Sequence, residues 1–363
     1  MSDIPKAPPA WLFAGVGRVR NALNLASRSA VPPNIALLEL AQGAWLTQAL
    51  YAATKLGIAD ALRGGPRSAE DVAREVGADP AATYRVMRAL ASNGVLKLRR
   101  GRFRLTRVGH ALRSDHHASM APLITLIGSP EHWEHWGHLL HSVRTGGTAV
   151  QEVRGMPVFD YLDTNPGYAT VFNDAMTGVS SVAIEMAVPR YDFSDRTLIV
   201  DVGGGHGALL AAVLARAPQA RGVLFDLPTV VDGAAARLQA AGVAHRCAVT
   251  GGSFFDAVPD GGDAYLLKTV IHDWDDERSI EILRNVRTAI AAHGKVLLME
   301  LVLPEGAPPH PGMLLDLEML VHAGGRERTA AEYGDLLSRA GFRLTRVIPT
   351  AGPMSIVEAV PAP

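Results

Sequence analysis

Apolar and polar positions along the chain change rhythm twice. From Asn34 to Leu62 the residues Leu38, Trp45, Ala49, Ala52 and Leu56 return at spacings of three, four or seven, which predicts helix. Apolar residues spill beyond that stripe, so a second side is expected to be covered. From Ser68 to Leu112 the pattern predicts a compact unit. Ser68 with Asp71 three positions on reads as a helix start, and Gly77 as its stop. A second helix follows from about Pro80, with Ala82, Val86 and Leu90 on one face, up to Asn93 and Gly94. Leu96 and Leu98 then alternate with Lys97 and Arg99, and, after a turn at Arg100 and Gly101, Phe103 and Leu105 alternate with Arg102 and Arg104. Two helices and a hairpin make a winged helix.

Helical spacing resumes at 129–143 (SPEHWEHWGHLLHSV), where Trp133, Trp136 and Leu140 are expected to form the buried stripe, with His132, His135, His138 and His141 on its flanks. A spacing of three drifts around a helix, so the four histidines cannot share one ion, and no metal site is expected. Tyr168 to Met186 presents Phe172, Met176 and Val179 at helical spacing, as core packing or as the wall of an aromatic pocket. After Tyr191 the rhythm changes again. Short apolar runs at 198–202, 221–225, 264–267, 295–301 and 344–347 alternate with helical stretches that begin near Ala208, Thr229, Asp276 and Thr329. That alternation predicts an α/β fold with a doubly wound parallel sheet. Thr329 with Glu332 caps the last helix, and Gly341 ends it.

The first of these strands, LIVDV, runs into GGGHG and then into ALLAAVLARA, so strand, glycine loop and helix follow one another. This order predicts a nucleoside-bearing ligand at the turn. Gly203, Gly205 and Ala208 satisfy the loose dinucleotide fingerprint, which by itself does not separate a nicotinamide cofactor from S-adenosylmethionine. Asp226 ends the next strand, where an acid takes ribose hydroxyls with either ligand. His272 and Asp273 stand just beyond the end of the 264–267 strand, at the crevice where open sheets bind ligands, and an imidazole there is a candidate general base.

Composition narrows the classes. With 48 % hydrophobic and 20 % charged residues in 363, the chain has room for about two domains and a well-buried core. A net charge of -1 recruits neither nucleic acid nor an anionic membrane. Lys97, Arg99, Arg100, Arg102, Arg104 and Arg107 crowd the wing, but the candidate recognition helix adds only Arg85 and Arg88, so a solvated hairpin is expected in place of a DNA contact. The single Cys247 excludes an internal disulfide framework. No run reaches the roughly 20 apolar residues of a membrane span. The N-terminal stretch, with Pro5, Pro8 and Pro9 before Arg18 and Arg20, lacks the apolar core of a signal peptide and reads, up to Pro33, as an arm. A cytoplasmic protein is expected.

Five runs in combination carry a resemblance: DVGGGHG at 201–207, FDLP at 225–228, GGSFFDAVP at 251–259, LLKTVIHDWDDE at 266–277 and GGRERT at 324–329. The sequence resembles the S-adenosylmethionine-dependent small-molecule O-methyltransferases of the plant caffeic acid and bacterial polyketide-tailoring type, over nearly its whole length. The resemblance implies a Rossmann-like catalytic domain at 191–363, a helical linker at 116–190 that contributes to the substrate pocket, and an N-terminal arm with a winged-helix dimerisation domain at 1–115. It implies S-adenosylmethionine as cofactor, a homodimer, and a small phenolic or polyketide-like substrate.

For the cofactor it implies Asp201, Gly203, Gly205, Asp226, Ser253, Phe254 and Lys268, with Ser180 toward the carboxylate. His272 matches the family's base, Glu300 and Glu327 the two acids that hold its ring, and Asp273 a residue orienting the loop. The candidate substrate-lining set is Trp136, Phe172, Met176, Trp274 and Met319. Ser253 departs from the aspartate frequent in the family, which implies weaker cofactor binding. Val179 and a shorter loop before Glu327 depart from the plant members and argue against a phenylpropanoid substrate. Nitrogen or carbon methylation by the same pocket, and a ligand-sensing winged-helix regulator, remain as alternatives.

Overall fold

In the computed structural model, which describes residues 10–306 and 308–363, the chain forms two compact units. One comprises Arg20–Leu139 and Val158–Val182; the other holds Leu140–Pro157, Ala183–Pro363 and the described residues up to Val19. The expected linker is thus divided between them.

The described part of the expected arm is helical. Ala10–Ser29 is one helix, because AWLFAGVGRVRNALNLASRS is rich in alanine, leucine and arginine and contains no proline. Pro5, Pro8 and Pro9 lie outside the described residues. Helix Pro33–Lys55 opens on a proline, where a missing N–H costs nothing, and stops before Gly57, whose φ of 73° breaks the helix expected to continue to Leu62. Part of its apolar stripe faces outward, while Ala49 and Ala52 are half-buried and Ala49 packs against the core. Trp45 is 70 % exposed and Leu38 and Leu56 are exposed as well, whereas Ala53 is the buried residue.

The winged helix forms as expected. Ser68 accepts a hydrogen bond from Asp71 N at 3.1 Å to cap Ala69–Val76, and Gly77 ends it in the left-handed conformation. Pro80–Ser92 follows, then the antiparallel hairpin β1 (Leu96–Arg99) and β2 (Arg102–Leu105). One face is corrected: Thr83, Met87 and Leu90 are buried on Pro80–Ser92, while Ala82 is exposed and Val86 half-buried. The core joins Ile58, Leu62, Val72, Met87, Leu90 and Phe103.

The 129–143 segment reverses its expectation more fully. It is two helices, Pro130–Gly137 and Leu139–Thr145, and its buried residues are Ser129, His132, His135 and Ser142. Trp133 and Trp136 are half-buried and Leu140 is exposed. His135 is 0 % exposed because Tyr161 and Tyr168 each meet its ring near right angles, at 6.2 and 6.1 Å. An imidazole edge suits that setting as well as an apolar side chain. Pro166–Ala187 is the helix expected from Tyr168; Tyr168 and Ala175 are buried with Leu126, and Phe172 packs against them.

The second unit carries the sheet. Its strands are β3 (Leu198–Val202), β4 (Arg221–Asp226), β5 (Cys247–Gly251), β6 (Ala264–Lys268), β7 (Lys295–Leu303), β8 (Arg328–Thr329), β9 (Phe342–Pro349) and β10 (Met354–Pro361). Their order is β5-β4-β3-β6-β7-β10-β9, with β8 paired to β7. The first five run parallel and β10 is antiparallel to both β7 and β9. Five strands match the expected runs. β5 is missing from them because CAVTG is short and largely exposed at the sheet edge; β10 and the two-residue β8 are missing as well. Alternation sends Ile199, Leu297 and Met299 to one face of the sheet and Val200, Val202 and Leu298 to the other, each under its own layer of helices. The order reverses between β3 and β6, so a crevice opens at their carboxyl ends. Among the described residues no helix is long and apolar enough to cross a membrane.

Candidate active site

At the end of β3 the chain turns through Gly203, Gly205 and Gly207, at φ of 67°, 58° and 80°. Such backbone excludes most side chains, and at Gly203 a Cβ would also lie 2.7 Å from Val270 Cγ2. At Gly205 a Cβ would meet nothing within 4 Å, so this part of the loop faces open space. Two aspartates hold the loop from either side. Asp201 accepts from Leu210 N at 3.1 Å, and Asp226 accepts from Gly205 N at 2.8 Å and Leu227 N at 2.7 Å. Burial pushes Asp201 up to about 7, against the pull of the Lys268 ammonium, and burial raises Asp226 too.

The neighbouring turn after β5 carries Ser253 and Phe254. The Ser253 hydroxyl accepts from Phe255 N at 3.2 Å, and Asn285 donates to the carbonyls of Phe254 and Phe255, at 2.9 Å each. Phe254 stands edge-on to Phe255, centroids 4.9 Å apart, and to Trp274 at 6.1 Å. Trp274 therefore packs against the predicted cofactor side. Lys268 ends β6 with its ammonium 3.2 Å from Thr269 Oγ1; burial lowers its pKa, opposed by Asp201, Glu300 and Asp273. Thr269 has φ of 51°, a strained value for a β-branched residue, at the step from strand to loop.

The loop beyond it holds His272 in a single 3-10 turn, Ile271–Asp273. Its Nδ1 lies 2.8 Å from Glu327 Oε1 and its Nε2 3.4 Å from Asp273 Oδ1. Of the two acids expected at the ring, Glu327 alone hydrogen-bonds it. Glu300, on β7, uses Oε1 to accept from Val270 N at 3.1 Å and Ile271 N at 3.0 Å, and so holds the loop instead of the ring. Burial alone would lower the His272 pKa. The carboxylates of Asp273, Glu300 and Glu327 outweigh it and push the imidazole up to about 10. Burial lifts Glu300 to about 7 and raises Asp273. The second oxygens of Glu300 and Glu327 and the Tyr333 hydroxyl are buried without hydrogen-bond partners.

Four contributors went unmarked in the sequence. Asp316 accepts from Glu327 N at 2.8 Å, Arg328 lies fully buried beside the loop, Asn285 pins the Ser253 turn, and Gly325 presses against the His272 carbonyl. Arg328 and Gly325 sit in the GGRERT run, which is their only local signal. Met319 is buried on Gly312–Val321, and its carbonyl accepts from Gly324 N at 2.7 Å, closing that helix ahead of Gly325. Trp136, Phe172, Met176 and Ser180 belong to the other unit, where Phe172 is partly taken up by core packing and Met176 is 39 % exposed. A buried, acid-backed imidazole at the end of a parallel strand, next to a glycine turn and a ribose-type acid, is equipped to take a proton from a ligand in the crevice.

Known proteins bear on this arrangement. Residues 136–343 match the O-methyltransferase domain and residues 38–115 the O-methyltransferase dimerisation domain. The chain is 46 % identical to the phenazine O-methyltransferase PhzM of Lysobacter antibioticus, over 92 % of this chain and 97 % of that one. It is 36 % identical to the 8-amino-8-demethylriboflavin N,N-dimethyltransferase of Streptomyces davaonensis, over 85 % of this chain and 90 % of that one.

 The crystal structure of LaPhzM superposes with a TM-score of 0.85 at 46 % identity, covering 91 % of this chain and all of that one.

Proposed function

The chain belongs to the O-methyltransferase family, and from that premise we propose that it moves a methyl group from S-adenosylmethionine to a hydroxyl of a small aromatic substrate, with His272 as general base. The observation that carries this reading is the buried His272–Glu327 pair, 2.8 Å apart, at the carboxyl end of β6.

The residues present suit the cofactor. Gly205 faces open space where a ligand chain fits. Asp226 supplies the acid for ribose hydroxyls, and Phe254 an aromatic face for a base. When bound, the cofactor supplies a methyl group activated by its sulfonium, so that the O–C bond forms as the S–C bond breaks.

The chain must supply geometry and a proton acceptor. A phenol with a pKa near 10 would give its proton to an ordinary imidazole near 6.5 at a cost of roughly 5 kcal/mol. With the ring pushed up to about 10, that difference largely disappears. Nδ1–H donates to Glu327, Nε2 takes the phenolic proton, and solvent later removes it. At neutral pH the ring rests protonated, so one proton must leave before turnover, and activity is expected to climb as pH rises toward about 10. Holding the reacting atoms roughly 3 to 3.5 Å apart supplies much of the remaining acceleration.

Mass spectrometry tests the reading: a screen of hydroxylated aromatics is expected to return one product heavier by a methyl group on oxygen, with S-adenosylhomocysteine formed. Transfer to nitrogen alone would overturn the oxygen assignment. His272→Gln is expected to lower turnover by about 10²- to 10⁴-fold with cofactor affinity retained, and parental turnover would refute the base. The outward Trp45 and Leu38 support a homodimer through the 38–115 region, and a monomer in sedimentation at micromolar concentration would refute it.

A further inference from the structure

We infer that Arg328 is a positioning residue for the reaction: its buried guanidinium grips the backbone on both sides of His272 and so sets where Glu327 meets the ring. The inference rests on the reading of His272 as base. Arg328 is 0 % exposed. Its Nη1 donates to Ile271 O at 3.1 Å and to Arg326 O at 3.2 Å, and its Nη2 to Trp274 O at 2.9 Å and Ser279 Oγ at 3.4 Å. Its Nε and Nη2 also reach Asp276 Oδ1, at 3.1 and 2.8 Å. The carbonyls of Ile271 and Trp274 bracket the His272–Asp273 pair, so one rigid planar fork spans the whole turn.

Arg328 is also the chain neighbour of Glu327 and pairs with Val302 on β7, the strand that carries Glu300. The segment before it adds a third contact, Gly325 against the His272 carbonyl. Ring, carbonyls and peptide plane of the base loop are therefore all met by 325–328. A buried charge is costly to desolvate, and an apolar residue of the same size stabilises a core as well or better, so folding alone does not call for an arginine here. Ser279 Oγ lies within hydrogen-bond distance of the same two carbonyls, 3.2 Å from Ile271 O and 3.3 Å from Trp274 O, so the turn keeps a partner when the fork is removed.

Arg328→Lys keeps the charge and loses the fork. The groups facing the imidazole are Asp273 on its own turn, Glu300 from β7 and Glu327 before β8, with Lys268 beyond Asp273, and none is altered by the substitution. In the full-length protein labelled with ¹³C-histidine, the His272 titration midpoint is expected to fall toward that of an ordinary imidazole as Glu327 drifts from the ring. Turnover is expected to drop about 10- to 100-fold, with KM and S-adenosylhomocysteine affinity within about threefold. An unchanged midpoint overturns the inference, whether or not turnover falls. If Arg328→Lys does not fold, Asp276→Asn, which removes the charge of the half-exposed carboxylate that Arg328 shares with Arg326, must lower the midpoint and turnover in the same sense, by about 3- to 10-fold in turnover; no change in either overturns the inference. The midpoint is read without turnover, so failure of the clamp is separable from failure of the base, which His272→Gln decides.

Discussion

Gly325→Ala measures how much displacement the base loop tolerates. An ideal Cβ at this position would lie 2.0 Å from the His272 carbonyl oxygen, 2.4 Å from Asp273 C and 2.5 Å from Trp274 N. An ordinary carbon–oxygen contact is about 3.3 Å. The two segments must therefore separate by about 1 Å. Gly325 is not in the left-handed region, so alanine brings no backbone penalty and the effect is steric alone. These three atoms are backbone, which cannot swing aside. A misplacement of about 1 Å at a reacting group costs on the order of 10²-fold in rate, and overpacking costs about 1 to 3 kcal/mol. Steady-state kinetics should thus show kcat lowered about 100-fold with KM and S-adenosylhomocysteine affinity little changed, and thermal unfolding should fall by several degrees. Gly334→Ala is the control: it lies inside helix Ala330–Arg339 with Leu344 Cδ2 at 3.6 Å, and alanine there should stabilise by up to about 1 kcal/mol and leave kcat alone. A Gly325→Ala enzyme with kcat within threefold of the parent and unchanged melting would refute the close docking of 325–328 on the base loop.

Three other outcomes are expected. Glu327→Gln removes the carboxylate at Nδ1; because the folded His272 pKa is raised, the acid limb of kcat/KM should move down toward 6.5 and kcat should fall about 10- to 100-fold, read from a pH–rate profile. Asn285→Ala frees the carbonyls of Phe254 and Phe255 and should weaken S-adenosylhomocysteine binding about 5- to 30-fold by calorimetry, with kcat at saturation nearly unchanged. Glu358 accepts from Tyr191, Thr345, Lys295 and Arg346, which hold its pKa down to about 2 against the effect of burial. A depressed folded pKa contributes stability that is complete above the unfolded value near 4.5 and is lost as pH falls toward 2, so Glu358→Gln should raise the pH of acid unfolding followed by circular dichroism.

The chain's local chemistry determined its strands, caps and turns. Apolar runs marked five strands, Thr329 with Glu332 marked a capping box that forms, and the glycines after Asp201 marked the turn with positive φ. His272 was legible because a histidine past a strand end needs only the strand to be recognised. What depends on neighbours distant in sequence was not. Thr83 and Met87, in place of Ala82 and Val86, joined Leu90 on the buried face of Pro80–Ser92 because helical spacing admits more than one stripe and only packing selects it. His132 and His135 took the place expected for Trp133 and Trp136 once Tyr161 and Tyr168 closed around the imidazole of His135. Two acids suited the His272 ring equally in sequence; the tertiary structure turned Glu327 to Nδ1 and Glu300 to the loop backbone, because Glu327 rides on the segment that Gly325 and Arg328 dock against that loop. Spacing along a chain specifies local conformation, whereas the partner of a buried charge is chosen by which segments fold over it.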